Sequence, residues 1–224
     1  MSIEEREKNV HQSRTFRNIR QIFGLDKKAV LDIGCGFGEY LRLFGQGSAG
    51  ITTTDNEIEY AKSRGLSVFF GNAEKISDLK IEKKFDVVWA NNLFEHLLSP
   101  HAFLIKLKKV ALPDTMAILG VPVVPKISSL IHLRGFRGTL ATNHVSFFTH
   151  LTLRLTVERA GWKVREVRPF IFKNAFLDHL VRPFSPHVYV VAENDWDFVY
   201  PPKKVREWIA DEYYGDLLSI TGQR

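Results

Sequence analysis

The chain has 224 residues, 45% of them hydrophobic and 25% charged, which fits one globular domain with appendages and excludes disorder over the whole length, because the apolar material can offset chain entropy. Lys and Arg outnumber Asp and Glu by 31 to 25 for a net charge of +6, but no basic run exceeds two residues, so a solvated basic surface is the first reading and a nucleic-acid or anionic-lipid patch the second. The single Cys35 excludes an internal disulfide framework and fits a reducing cytoplasm, no apolar run reaches bilayer length, and Met1 to Lys8 lacks the apolar core of a secretory signal.

Sparse apolar positions (Val10, Ile19, Ile22, Phe23) predict a helix over 4–23, with Gly24 to cap it. Ala29 to Ile33 is a short β-branched run, read as a buried strand entering a glycine turn, Gly34 to Gly38. A short helix is expected over Glu39 to Phe44, a second strand over Gly50 to Thr54, a helix over Glu57 to Arg64 ended by Gly65, and a third strand over Leu66 to Phe70. Phe85 to Ala90 reads as the fourth strand, and Ser99-Pro100 as the start of a helix running to about Val110. Thr115 to Val121 is the fifth strand, 122–148 is irregular, and Thr149 caps a helix ending at Ala160. Lys163 to Phe172 and Val188 to Glu193 close the strand set, and a tail after Asn194 carries a helix over Lys203 to Tyr213. Alternation of strand and helix through the first 120 residues predicts a doubly wound α/β domain: a seven-stranded, mostly parallel sheet with helices on both faces. In such sheets ligands sit beyond the carboxyl ends of the strands, where strand order reverses.

The chemistry concentrates after the first strand. Gly34, Gly36 and Gly38 are spaced G-x-G-x-G, a different loop from the G-x-G-x-x-G pyrophosphate cradle. Asp32 just before it would repel a phosphate and suits a ligand bearing an ammonium group. A strand–helix turn with no ligand is the bland alternative.

Here the chain resembles the class I S-adenosylmethionine-dependent methyltransferases, and within them the small-molecule group often called type 11. Phe85 to Leu97 is similar to the family's fourth-strand motif, Leu107 to Asp114 to its L-K-P-G-G segment, and Phe147-Phe148-Thr149 with Ala160-Gly161-Trp162 to its later helix and A-G-F end. The resemblance covers roughly residues 28–193. It implies a Rossmann-like methyltransferase fold, S-adenosylmethionine as cofactor and S-adenosylhomocysteine as product. By position it implies that Gly34, Cys35, Gly36, Phe37 and Gly38 lie under the methionine and ribose, and that Asp32 orients the amino group. Where the family places a ribose acid this chain has Thr52, so the resemblance leaves either Asp55 reaching back or threonine and water. Asp55 also suits the N-cap of the following helix. Asn72 and Ala73 match the adenine contact, although Asn72 can equally bond its own turn. Asn91, Asn92 and Leu93 would line the methionine end.

Glu95, His96 and His144 are the expected catalytic residues, with His96 as a base or acceptor-orienting group or, alternatively, packed under the substrate loop. The three also have metal-ligand chemistry. A metal-dependent branch, the small-RNA terminal 2′-O-methyltransferases, has a similar Glu-His and a later His. That branch has a further Glu where this chain has Asn92, so no metal is assigned.

Residues 123–145 are expected to form a substrate lid with apolar Leu130, Ile131, Leu133 and Phe136, and with Arg134 and Arg137 able to clamp an anion. His132 and His150 read as structural, and Phe170, Phe172, Phe176 and Phe184 as core or a second apolar wall. Residues 1–27 would cover the cofactor site. The expected function is methyl transfer to a small or medium-sized acceptor, at oxygen, in the cytoplasm, by a monomer or homodimer. Alternatives are a metal-assisted RNA 2′-O-methyltransferase and a non-catalytic cofactor-binding module.

Overall fold

The computed structural model describes residues 1–79, 81, 83–127, 133, 139–141 and 143–209. Its centre is one seven-stranded sheet of order β3-β2-β1-β4-β5-β7-β6. The strands are β1 (Val30–Ile33), β2 (Ala49–Thr52), β3 (Val68–Phe70), β4 (Phe85–Asn91), β5 (Ala111–Pro122), β6 (Trp162–Arg168) and β7 (His187–Asn194). The first five pair in parallel, and β7 runs antiparallel to both β5 and β6. The chain moves outward from β1 through β2 to β3, then returns to lay β4 on the other side of β1. The strand-order reversal therefore falls between β1 and β4, where Asp32 pairs with Gly50 on one side and Trp89 on the other.

Both faces of the sheet are covered, which is why the central strands read as continuous apolar runs rather than alternating ones. Alternate residues serve opposite faces. Leu31, Ile33, Val88 and Leu119 pack with α4 (Pro100–Leu107) and α5 (His150–Arg159). Val30, Val87, Trp89 and Ile118 pack with α1 (Ile3–Gln12) and α2 (Arg14–Phe23) through Val10, Phe16 and Ile19. A smaller cluster holds α3 (Asp55–Ser63) to the glycine loop through Cys35, Leu41, Ile58 and Ala61.

Several boundaries differ from the sequence reading for local reasons. The single helix expected over 4–23 is two, because Ser13 ends α1 with extended backbone and its hydroxyl accepts from the Phe16 N–H to start α2; Gly24 does close α2 in the left-handed region. The helix expected over Glu39 to Phe44 is a turn followed by a single 3₁₀ turn, Leu41–Leu43. β5 begins four residues early, at Ala111, and α6 (Ala175–Val181) occupies a stretch with no helical pattern strong enough to predict it. An N-cap compensates there: Asn174 Oδ1 accepts from the N–H groups of Phe176 and Leu177. Of the four phenylalanines offered as core or wall, Phe170 is fully buried, while Phe176 and Phe184 are exposed. The tail helix is α7 (Pro202–Ile209), and the rest of its predicted span lies outside the described residues. So do the lid positions Leu130, Ile131, His132, Arg134, Phe136 and Arg137. No helix among the described residues is long and apolar enough to cross a membrane.

Candidate active site

The site is assembled at the carboxyl end of the parallel strands. Asp32, the third residue of β1, is 2% exposed, and its Oδ2 has no hydrogen-bond partner among the described residues. Burial holds its carboxyl well above the usual range, and the nearby charge of Glu39 adds to this. A carboxylate in that position is costly unless a cation meets it. Gly34, Gly36 and Gly38 all have positive φ, +77°, +54° and +85°, the region in which glycine alone is unstrained. A Cβ at Gly34 would lie 3.3 Å from Leu93 Cδ1, and one at Gly38 would lie 2.5 Å from Leu66 Cδ1. The loop is anchored by the N–H groups of Gly34 and Cys35, both donating to the Ile51 carbonyl at 2.8 and 3.0 Å. Cys35 turns its buried thiol away, towards Gly50 and Leu41, so only its backbone can face a ligand. Phe37 stacks edge-on against Tyr60 and lies under the Arg6 guanidinium, 5.6 Å from its ring centre.

Thr52 ends β2, and its hydroxyl donates to Glu57 Oε2 at 2.5 Å. The acid that meets Thr52 is thus Glu57, in the first turn of α3, whereas Asp55 is exposed at the first position of that helix. The N-cap of α3 is Thr54 rather than Asp55. Glu57 carries charge close enough to the glycine loop to help raise the Cys35 thiol. No local motif marked it in the sequence: an acid two residues beyond Asp55 becomes relevant only when the helix turns it back onto the strand end.

After β3, Asn72 Oδ1 accepts from the Glu74 N–H at 2.9 Å, which leaves the amide NH₂ as its outward group, and Ala73 is buried beside it. At the end of β4, Asn91 Nδ2 donates to the Tyr40 hydroxyl at 3.2 Å, while its Oδ1 is buried without a partner among the described residues. Asn92 sits at φ +53°, a region that asparagine tolerates better than other side chains. Its Oδ1 accepts from His187 Nε2 at 2.8 Å. Burial pushes His187 down to about 4, so it is neutral at physiological pH. Sequence reading missed His187, because the first residue of an antiparallel strand inserted between β5 and β6 reaches the β4 end only by pairing with Pro122 at the end of β5.

Beyond Asn92 the chain makes one 3₁₀ turn, Phe94–His96, which buries Glu95 and turns His96 towards Asn143 and His144. Both His96 Nε2 and His144 Nε2 lie 3.9 Å from Glu95 Oε1. The two imidazole rings meet edge to face, 4.8 Å between centres. Burial raises the Glu95 carboxyl, opposed by its backbone hydrogen bond and the two histidines. Asn92, Glu95, His96, Pro122, Thr139, His144, Pro186 and His187 line an open cleft of about 330 Å³. Of the sequence-predicted residues, the structure brings together Asp32 and the glycine loop in one group and Glu95, His96 and His144 in another, with Asn91 to Leu93 between them. His150 lies apart, on α5, where burial lowers it to about 4.

Residues 7–167 match the methyltransferase-domain family. The chain belongs to that family. A curated relative, the ubiquinone biosynthesis O-methyltransferase of Haemophilus ducreyi, is 31% identical over 110 residues. That match spans 43% of this chain and 46% of the relative, so the chain covers less than half of its length. An S-adenosylmethionine-dependent methyltransferase from Archaeoglobus fulgidus shares the fold at TM-score 0.60 and 20% identity, over 84% of this chain and 97% of that one. Another from Mesorhizobium loti does so at 0.61 and 14%, over 83% and 100%. The cofactor of this methyltransferase domain is S-adenosylmethionine, which leaves as S-adenosylhomocysteine. The residues present fit it: a buried, unpartnered carboxylate suits the methionine ammonium, and left-handed glycines allow close backbone approach.

Proposed function

We propose that the chain transfers the methyl group of S-adenosylmethionine to a hydroxyl oxygen of a small or medium-sized acceptor, by direct displacement. The observation that carries this reading is the placement of a buried, unpartnered Asp32 carboxylate at the strand-order reversal, across Asn91 to Leu93 from a Glu-His-His cleft. Asp32 receives the donor's ammonium group, and Gly34 to Gly38 support its methionine and ribose by backbone. Thr52 and Glu57 receive the ribose hydroxyls, with the carboxylate supplying the charge that threonine lacks. Asn72 donates to the adenine edge through its amide NH₂, and Ala73 packs beneath. Asn91, Asn92 and Leu93 line the methionine end.

The acceptor occupies the cleft of Glu95, His96, His144 and His187. The bound cofactor supplies an electrophilic methyl on a sulfonium. The protein's part is alignment of the acceptor oxygen, at an approach of about 3–3.5 Å. As the new C–O bond forms and the methyl's C–S bond breaks, the acceptor loses its proton, which His96 or His144 takes at Nε2. The H. ducreyi relative supports an oxygen acceptor by its name, as an O-methyltransferase. Residues 1–27 are read as a cover for the donor site: Arg6 pairs with Glu39 at 3.3 Å and Arg42 with Glu7 at 2.5 Å, which lays α1 against the glycine loop.

Calorimetric titration with S-adenosylhomocysteine, with NAD as control, tests the donor site. Micromolar binding of the former alone is expected, and its absence overturns the reading. Turnover on a panel of hydroxylated acceptors then tests the oxygen; methylation confined to amines would sink that part alone.

A further inference from the structure

Helix α6 is turned inside out. On a surface helix the apolar side chains face the core and the polar ones face water. Here the buried side chain is an aspartate: Asp178 is 0% exposed and accepts from Arg168 Nη1 at 2.7 Å and from the Phe172 N–H at 2.9 Å. Phe176, Leu177 and Leu180 face outward instead, with Phe176 68% and Leu180 57% exposed. The apolar patch continues beyond the helix. The Lys126 N–H donates to the Pro183 carbonyl at 3.0 Å and the Val123 N–H to the Pro186 carbonyl at 2.9 Å, so the strip ending at Ile127 lies along the segment that follows α6. Ile127 and Phe184 are both exposed there. The same two strips carry Pro122 and Pro186 into the wall of the Glu95–His96–His144 cleft.

The surroundings of this patch are cationic. From Thr115 to Ala192 the chain has ten Lys and Arg against three Asp and Glu. The remainder has 21 against 22, so this stretch carries the whole of the net charge. Its three acids are all paired with arginines, Glu158 with Arg154, and Glu166 and Asp178 with Arg168. Lys126 and Lys173, next to Ile127 and to the start of α6, are exposed, and no ion pair joins either to an acid among the described residues. We infer that this face docks on an anionic lipid bilayer, with Phe176, Leu177, Leu180, Phe184 and Ile127 entering the headgroup boundary and Lys126 and Lys173 meeting lipid phosphates. Bulky apolar side chains on one side of a helix with lysines at the margin suit a position in the plane of the interface, and each lysine held near an anionic surface adds attraction. A second copy of the chain fits the face less well, because a self-complementary contact sets the positive rim against itself. RNA also fits less well, since Leu177, Leu180 and Ile127 offer no ring on which a base could stack. Docking in this way brings the mouth of the cleft, at Pro122 and Pro186, up to the lipid surface.

The experiment sediments the full-length protein with phosphatidylcholine vesicles, with and without about one third phosphatidylglycerol. At about 0.1 M salt the parent is expected to bind the anionic vesicles about 5-fold or more over the neutral ones. F176S/L180S should lower the bound fraction about 5-fold or more, and K126E/K173E should do the same. All four side chains are exposed, so both variants should melt within about 2 °C of the parent; if the serine variant misfolds, the charge variant alone decides. No binding to anionic vesicles overturns the proposal, as does binding that the substitutions leave unchanged. A parent dimer that F176S/L180S splits on size-exclusion chromatography assigns the face to a second copy and overturns it as well. So does an RNA oligonucleotide retained by the parent, and lost in K126E/K173E, where vesicles are not bound.

Discussion

Asp32 is a buried residue unfavourable for the fold, and the proposed function gives it a role in binding. Its folded-state pKa is raised by burial above the unfolded value, so in the window between them the folded chain holds more protons, and stability falls as pH rises through it. D32N removes that cost. It is expected to melt about 2–6 °C higher than the parent at neutral pH in the absence of ligand, while binding S-adenosylhomocysteine about 10–100-fold more weakly, because a charged partner for the ammonium is lost. A melt and a titration of the same sample check both halves, and an unchanged affinity would remove Asp32 from the donor site. For the parent, donor affinity is expected to weaken as pH falls and Asp32 takes up a proton. The carboxylate beside Thr52 gives a second comparison. E57Q should weaken donor binding about 3–10-fold and D55N less than 2-fold, since Asp55 is exposed. The reverse order would return the ribose contact to Asp55.

At the scale of elements, β5 works because it can lie very close to its neighbours. A Cβ at Gly120 would fall 2.2 Å from Asn91 Oδ1 and 2.6 Å from Tyr189 Cε1, side chains of the strands on either side. G120A should therefore displace Asn91 from the methionine end and destabilise the sheet by about 1–3 kcal/mol, read as a fall of roughly 2–10 °C in Tm together with weaker donor binding. An alanine tolerated without either change would show that Asn91 is not held by this packing. The two N-terminal helices depend on a different device. Ser13 serves as the C-cap of one and the N-cap of the next, and the bend it makes lets Phe16 reach Tyr40 at 4.8 Å and Trp89 at 5.6 Å between ring centres while Arg6 reaches Glu39.

For the whole molecule, the net charge of +6 distinguishes acceptor classes through salt. Turnover on a small neutral acceptor should change less than about 2-fold between 50 and 200 mM salt, whereas an RNA acceptor held by several phosphate contacts would lose orders of magnitude. A steep salt dependence measured with the true acceptor would favour a nucleic acid.

The seven strands, the sheet class and the acid-glycine motif were legible in the sequence, because buried parallel strands are written as short apolar runs and a left-handed loop is written in glycine. Gly24 as a helix stop and Thr149 as a helix start were legible for the same reason: a cap is a local hydrogen bond or a local φ. What only the tertiary structure decided are pairings between residues far apart in sequence. Glu57 meets Thr52 because α3 folds back over β2. His187 meets Asn92 because β7 inserts beside β5. His96 and His144 share a residue-level chemistry that the sequence could name, but whether their Nε2 atoms face Glu95 depends on which backbone carbonyls hold their other nitrogens. Local patterns record the conformation of the chain next to them; the partners of a buried polar atom are set by packing across the fold.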